Sequence, residues 1–167
     1  RGGRPGARIR ATPINEVGME ALQKCNSAAA ERLVRLTPHL ASGDPPLAVS
    51  GDAQLLHVMV DNLVRNAIRF SPARGEIVVT VERSGHDCRV VVRDFGDGVP
   101  EELLTSLFDR FADEPERPSS ARGRGLGLAI AQGVAELHGG EISARNLSGG
   151  GCEFTARIPL VAGAADE

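Results

Sequence analysis

The sequence has no tryptophan, no tyrosine and a single lysine, Lys24. A nucleic-acid surface usually combines clustered positive charge with stacking aromatics, and a net charge of −3 offers neither. The lone lysine also rules out a phosphate loop ending in Gly-Lys-Ser/Thr, because Lys24 follows Gln23. Cysteine is sparse: Cys25, Cys88 and Cys152 lie far apart with no CxxC pair. That spacing supports neither a zinc site nor an even-numbered disulfide framework and fits a reducing cytosol. Long apolar runs are missing too, none nearing the roughly 18 residues of a membrane span. The Arg-rich start (Arg1, Arg4, Arg8, Arg10) leads into no apolar signal core. A soluble chain without membrane or nucleic-acid contact is the expectation.

What is present suits one domain. At 167 residues, 41% hydrophobic and 25% charged, the chain can bury a single core. Residues 1–12 read as a flexible linker, 13–160 as the folded domain and 161–167 as a flexible tail. Apolar residues at helical spacing predict a helix from Ile14 to about Ala30. Short extended pieces follow at Arg32 to Leu36 and Pro46 to Val49. A broad apolar stripe over Gln54 to Phe70, with Asp52 as its cap, predicts a long helix. Val-rich runs at Glu76 to Glu82 and Cys88 to Asp94 form a hairpin around Ser84-Gly85-His86-Asp87. A short helix opens at Pro100, and the aperiodic stretch 112–124 reads as a mobile lid. A helix from Leu126 to Leu137 and a hairpin of Glu141 to Arg145 with Cys152 to Pro159 complete the chain. The order contains no βαβ alternation and predicts an α+β sandwich, with helices on one face of a mixed, mostly antiparallel sheet.

Three segments stand out chemically. Asn62 and Asn66 are four apart on the long helix, with Arg69 a turn beyond, so two amides and a guanidinium share one side. Such amides can ligate a hard cation and donate to phosphate, or serve as surface polarity and helix-packing bonds. Asp94-Phe95-Gly96-Asp97-Gly98 ends a strand. It is either a plain turn or a place where glycines admit a ligand while Asp94 accepts from an exocyclic amine such as adenine's. Its first three letters mimic the magnesium motif of protein kinases, but no HRD-type loop or strand lysine accompanies them. Gly123-Arg124-Gly125-Leu126-Gly127-Leu128 leads into a helix and can act as a hinge or expose free N–H groups to an anion. A dinucleotide fingerprint would follow a strand; this run follows an irregular stretch.

In order, Asp61-Asn62-Leu63-Val64-Arg65-Asn66-Ala67, Asp94 to Gly98, Leu107-Phe108-Asp109-Arg110-Phe111 and Gly123 to Leu128 resemble the N, G1, F and G2 boxes of the sensor histidine kinase ATP-binding domain. This is the GHKL superfamily, with its Bergerat-type two-layer α/β sandwich, and the likeness spans Ile14 to Leu160. The resemblance implies Mg-ATP as ligand, with Asn66 as the magnesium residue and Asn62 beside it, both in catalytic positions. It further implies that Arg69 reaches phosphate, Phe70 lines the adenine pocket, and Asp94 accepts from the adenine amino group between Gly96 and Gly98. Phe108 and Phe111 would anchor the lid. Gly123, Gly125 and Gly127 would let it close, with Leu126 and Leu128 packing beneath.

Three departures matter. ATP-hydrolysing relatives carry a glutamate where Asn62 stands, so transfer to a protein is favoured over hydrolysis. Arg124 replaces a residue that is often small or hydroxylic. His39, His57, His86 and His138 each lack the acidic-basic-Pro setting of a phosphoacceptor, so all four read as structural or surface residues. The implied function is histidine-kinase catalysis by a domain whose acceptor histidine lies on a separate dimerisation domain of the parent. The other partner would be a downstream response regulator, in a cytoplasmic location with the parent anchored in the membrane. An anti-sigma-factor-type serine kinase and a non-catalytic nucleotide sensor are the rival readings.

Overall fold

A computed structural model describes residues 9–41, 47–104 and 119–161, with side chains from 127 onward in the last segment. The chain begins with β1 (Arg10–Pro13) and α1 (Ile14–Glu31). Ile14, Val17, Ala21, Leu22, Cys25 and Ala29 of α1 are buried, which is the helical stripe the sequence shows. The helix ends in a Schellman motif: Leu33 N–H donates to Ala30 O and Val34 N–H to Ala29 O. Leu33, at φ 60, holds the left-handed position usually given to glycine.

Next come β2 (Arg35–His39), β3 (Ala48–Gly51) and α2 (Ala53–Phe70). Asp52 caps α2, its carboxylate accepting from Gln54 N–H at 2.8 Å and Leu55 N–H at 3.1 Å. β4 (Glu76–Ser84) and β5 (Asp87–Asp94) form the expected hairpin. The short α3 (Glu101–Leu104) is followed by α4 (Ser119–Leu137), β6 (Glu141–Asn146) and β7 (Cys152–Pro159). α4 closes with the same motif as α1, now with Gly139 at φ 80 in the left-handed position.

Five strands make one sheet in the order β2-β4-β5-β7-β6, parallel only at β2-β4. Alternation sorts its faces: Ile77, Val79, Val81, Cys88, Val90, Val92, Phe154, Ala156 and Ile158 are all no more than 1% exposed. These residues join α1, α2 and α4 in one core. Helices on one face of a mixed, mostly antiparallel sheet give the expected α+β sandwich. β1 and β3 form a separate antiparallel ribbon, tied to the end of β7 through the Val49–Leu160 bridge.

Four expectations need correction. Arg10 to Thr12 are strand, not linker, because β3 supplies partners far along the chain, Arg10 pairing with Gly51 and Thr12 with Val49, that local composition cannot reveal. The first extended piece, expected over Arg32 to Leu36, starts at Arg35, since Arg32 to Val34 are consumed in capping α1. The order expected to lack βαβ alternation contains one such crossover, since β2 and β4, joined through β3 and α2, form the parallel pair of the mixed sheet. Finally, α4 starts at Ser119, so residues 119–124 of the expected lid are helical and the glycine run lies inside the helix. Glycine costs a helix about 1 kcal/mol per residue, which made the run read as a boundary. The interspersed Ala, Arg and Leu residues carry the helix through it. The expected linker over 1–8, the rest of the lid at 112–118 and the tail at 162–167 lie outside the described residues. No helix among the described residues is long and apolar enough to cross a membrane.

Candidate nucleotide site

α2 places Asn62, Asn66 and Phe70 on successive turns of one stripe, about 12 Å from first to last. Asn66 is only 5% exposed, yet neither its Oδ1 nor its Nδ2 has a partner among the described residues. A buried amide without partners costs about 1–3 kcal/mol per orphaned group. An asparagine used merely to pack helices would be bonded, and a surface one would be wet. This side chain is neither, which fits a group held ready for a ligand.

Asp94 lies at the end of β5 with 0% exposure. Its Oδ1 accepts from Gly96 N–H at 3.0 Å and from Cys152 N–H at 3.3 Å. Its Oδ2 is buried and has no partner among the described residues. Burial pushes the Asp94 carboxyl above its ordinary range, against the pull of the two N–H donors and the nearby charge of Arg93. The result is a fixed carboxylate with one oxygen committed and one available.

Close approaches tie these groups together. A Cβ on Gly96 would sit 2.9 Å from the Phe70 carbonyl oxygen, so only glycine lets the end of β5 touch the end of α2. Gly98 has φ 84, in the left-handed region that favours glycine. At the other end of the stripe, a Cβ on Gly127 of α4 would meet Asn62 Oδ1 at 3.6 Å. Three of the four expected segments thus line one strip of α2: Gly127 beside Asn62, Asn66 in the middle, and Gly96 beside Phe70 and Asp94. Arg69 is exposed on the last turn of α2, and Leu128 is 1% exposed in the core. Phe108 and Phe111 lie outside the described residues. Gly123, Gly125 and Leu126 are helical in backbone, so the free N–H groups expected there are replaced by helical geometry. The side chain of Leu126 is not among those described.

Two contributors escaped sequence reasoning. Asn146, at the end of β6, bonds both main-chain groups of Val99, and Cys152 donates its N–H to Asp94. The only sequence signal was the glycine-rich turn between them, which reads as an ordinary hairpin connection. His138 is structural, as expected. Its Nε2 accepts from Asp52 N–H at 3.1 Å, so its Nδ1 carries the hydrogen facing Val134 O at 2.8 Å. It thereby pins the end of α4 to the start of α2.

Comparisons with known proteins identify the family. The family model described as histidine kinase-, DNA gyrase B-, and HSP90-like ATPase matches residues 51–162. The signal transduction histidine-protein kinase AfsQ2 of Streptomyces coelicolor is 43% identical over 110 residues, covering 65% of this chain and 20% of that protein. The sensor protein KdpD of Clostridium acetobutylicum is 34% identical over 147 residues, 87% of this chain and 16% of its own length. The chain therefore spans about a fifth or less of these two relatives. Among solved structures, the nucleotide-free catalytic domain of histidine kinase ThkA has a TM-score of 0.77 at 27% identity, covering 91% of this chain and 97% of that one. ThkA in complex with the response regulator protein TrrA gives a TM-score of 0.74 at 26% identity, covering 92% of this chain and 42% of that one. With a family match over more than half its length and relatives that are sensor kinases, the chain belongs to the histidine kinase-, DNA gyrase B- and HSP90-like ATPases, as a sensor histidine kinase ATP-binding catalytic domain.

Proposed function

We propose that this domain binds Mg-ATP along the α2 stripe and passes the γ-phosphoryl group to a histidine on a separate dimerisation domain of the same parent protein. One observation carries the reading: two buried polar side chains, Asn66 on α2 and Asp94 at the end of β5, keep atoms that have no partner among the described residues. Asp94 Oδ2 accepts from the adenine amino group, a donor that a carboxylate oxygen suits. Phe70 and Gly96 flank the base. Asn66 offers an amide oxygen to magnesium, and Asn62, one turn earlier, faces the phosphates. Among the described residues no three Asp, Glu, His or Cys side chains come together to hold a metal. A cation here would take most of its oxygens from nucleotide and water, as magnesium in phosphoryl-transfer sites commonly does. Magnesium supplies charge neutralisation on the β- and γ-phosphate oxygens when bound.

Asn62 bears on the outcome of the reaction. An amide cannot take a proton from water, so the domain holds the triphosphate without activating a water nucleophile. The acceptor histidine nitrogen attacks phosphorus in line, the N–P bond forms as the bond to the bridging oxygen breaks, and ADP leaves. The ThkA complex with a response regulator supports a regulator as the downstream partner. We place the domain at 10–160, in the cytoplasm, with the parent anchored in the membrane.

The test is transfer itself. The chain is mixed with the dimerisation hairpin of its parent and γ-labelled Mg-ATP. Label stable to base and lost in acid, on the hairpin histidine, is expected. Acid-stable label on serine would move the protein to the serine-kinase reading, and nucleotide binding without label would make it a sensor.

A further inference from the structure

The turn from Asp94 to Val99 is fixed at both ends to one rung of the β6–β7 hairpin, the pair Asn146↔Cys152. Cys152 holds the near end, its N–H donating to Asp94 Oδ1 at 3.3 Å. Asn146 holds the far end: Val99 N–H donates to its Oδ1 at 2.8 Å, and its Nδ2 donates to the Val99 carbonyl at 2.7 Å. A primary amide that meets both main-chain groups of one residue replaces a neighbouring strand, and among short side chains only asparagine offers donor and acceptor so placed. Val99 is 3% exposed, so water is a poor substitute for either bond. A weaker contact runs from Nδ2 to Glu101 Oε2 at 3.4 Å. Between the two anchors, a Cβ on Gly98 would lie 2.6 Å from Asn146 Oδ1, so the chain passes directly over the amide.

We infer that Asn146 is a positioning residue for the base. By clamping Val99 it sets the path of the turn that presents the free Asp94 Oδ2, and so sets the preference for adenine over guanine without touching the phosphates. Adenine offers an amino donor at this edge, whereas guanine offers a carbonyl acceptor, which a carboxylate oxygen repels. A turn held in one path enforces that difference; a slack one lets Asp94 yield.

This inference rests on the nucleotide reading above, and the experiment separates the two. The wild-type chain, Asn146→Ala, Asn146→Asp and a control, Arg145→Ala, are titrated with ATP and GTP, each with and without magnesium, beside thermal melts. Arg145 is the preceding strand residue, and its side chain is exposed apart from its ion pair with Glu153. Asn146→Ala is expected to weaken ATP about tenfold and to narrow the ATP-to-GTP ratio by a similar factor, the size set by two lost hydrogen bonds. The factor by which magnesium strengthens ATP binding stays unchanged, which a general loosening of the domain would not allow. Asn146→Asp, keeping the acceptor and losing the donor, falls between, and Arg145→Ala matches wild type. The inference is overturned if Asn146→Ala keeps the wild-type ratio, or if it loses the magnesium effect in equal proportion. Should that variant not fold, Asn146→Asp decides by the same two criteria. A wild-type chain indifferent to the base would instead overturn the nucleotide reading, and this inference with it.

Discussion

Asp94 and Asn66 are buried polar residues whose cost to the fold is visible in the atoms, Asp94 Oδ2 and both ends of the Asn66 amide, that have no partner among the described residues. At Asp94 the burial that raises its carboxyl also fixes the sign of its pH dependence. The folded state holds the proton more tightly than the unfolded chain, whose ordinary value is 3.8. The Asp94 contribution therefore favours folding in acid and declines as pH rises through the shifted value. Nucleotide binding runs the other way, because acceptance from an amine needs the carboxylate. ATP affinity is expected to start falling, on acidification, at a pH above 3.8, read by titration with circular dichroism tracking the fold. Affinity that holds constant down to that pH would contradict it. Asp94→Asn should separate the two roles. The Gly96 and Cys152 N–H groups require an oxygen at the Oδ1 place, so the new NH2 takes the Oδ2 place and opposes the adenine amine. The variant should melt at or above the wild-type temperature while losing ATP, and one that still bound ATP would refute the pairing. The sequence made Asp94 and Asn66 visible because their motifs are local. Asn146 was hidden because its partner, Val99, lies 47 residues away.

Helix ends provide a matched comparison within the fold. α1 and α4 close with the same motif, but Leu33 at φ 60 and Gly139 at φ 80 occupy the left-handed position. Leu33 is also 58% exposed, so its side chain gains little from burial. Leu33→Gly should stabilise by up to about 1 kcal/mol, the left-handed penalty less the added backbone entropy of glycine. Gly139→Ala should destabilise by about 1 kcal/mol. Within α4, a Cβ on Gly133 would meet nothing within 4 Å among the described residues, so Gly133→Ala should add about 0.8–1 kcal/mol. Urea denaturation of the three variants reads all these values, and the same sign for both cap variants would contradict the motif assignment. Element order and type were largely legible, because stripes and alternation are local periodicities. The start of α4 was not: its glycines signal a break that the surrounding helix formers override.

Across the whole molecule, strand pairing was the part least legible. β1 meets β3 and β2 meets β4 only after long intervening segments, and nothing in the runs themselves names the partner. The three cysteines are free and buried, and burial pushes each thiol up to about 12. Unfolded, they would ionise near 9.0, so the unfolded chain binds fewer protons between these values and stability must fall as pH rises through that window. Alkylation should leave all three unmodified in the native protein at pH 8 and label them together on unfolding; a native thiol reacting at the free-cysteine rate would show the core to be open there. The outer face of the sheet bears ion pairs such as Arg145–Glu153 and Arg157–Glu141. Exposed pairs of this kind contribute little to stability, so the fold depends on its one core.

The central claim is that α2 and the end of β5 form one site for a magnesium-bound adenine nucleotide. Calorimetric titration of wild type and Asn66→Ala with ATP, with and without magnesium, tests it most directly. Removing a buried amide with no partner among the described residues should leave the melting temperature near wild type. The account predicts single-site binding strengthened by magnesium in wild type, and loss of that strengthening in the variant. No heat from wild type, or an unchanged magnesium dependence in folded Asn66→Ala, would contradict it.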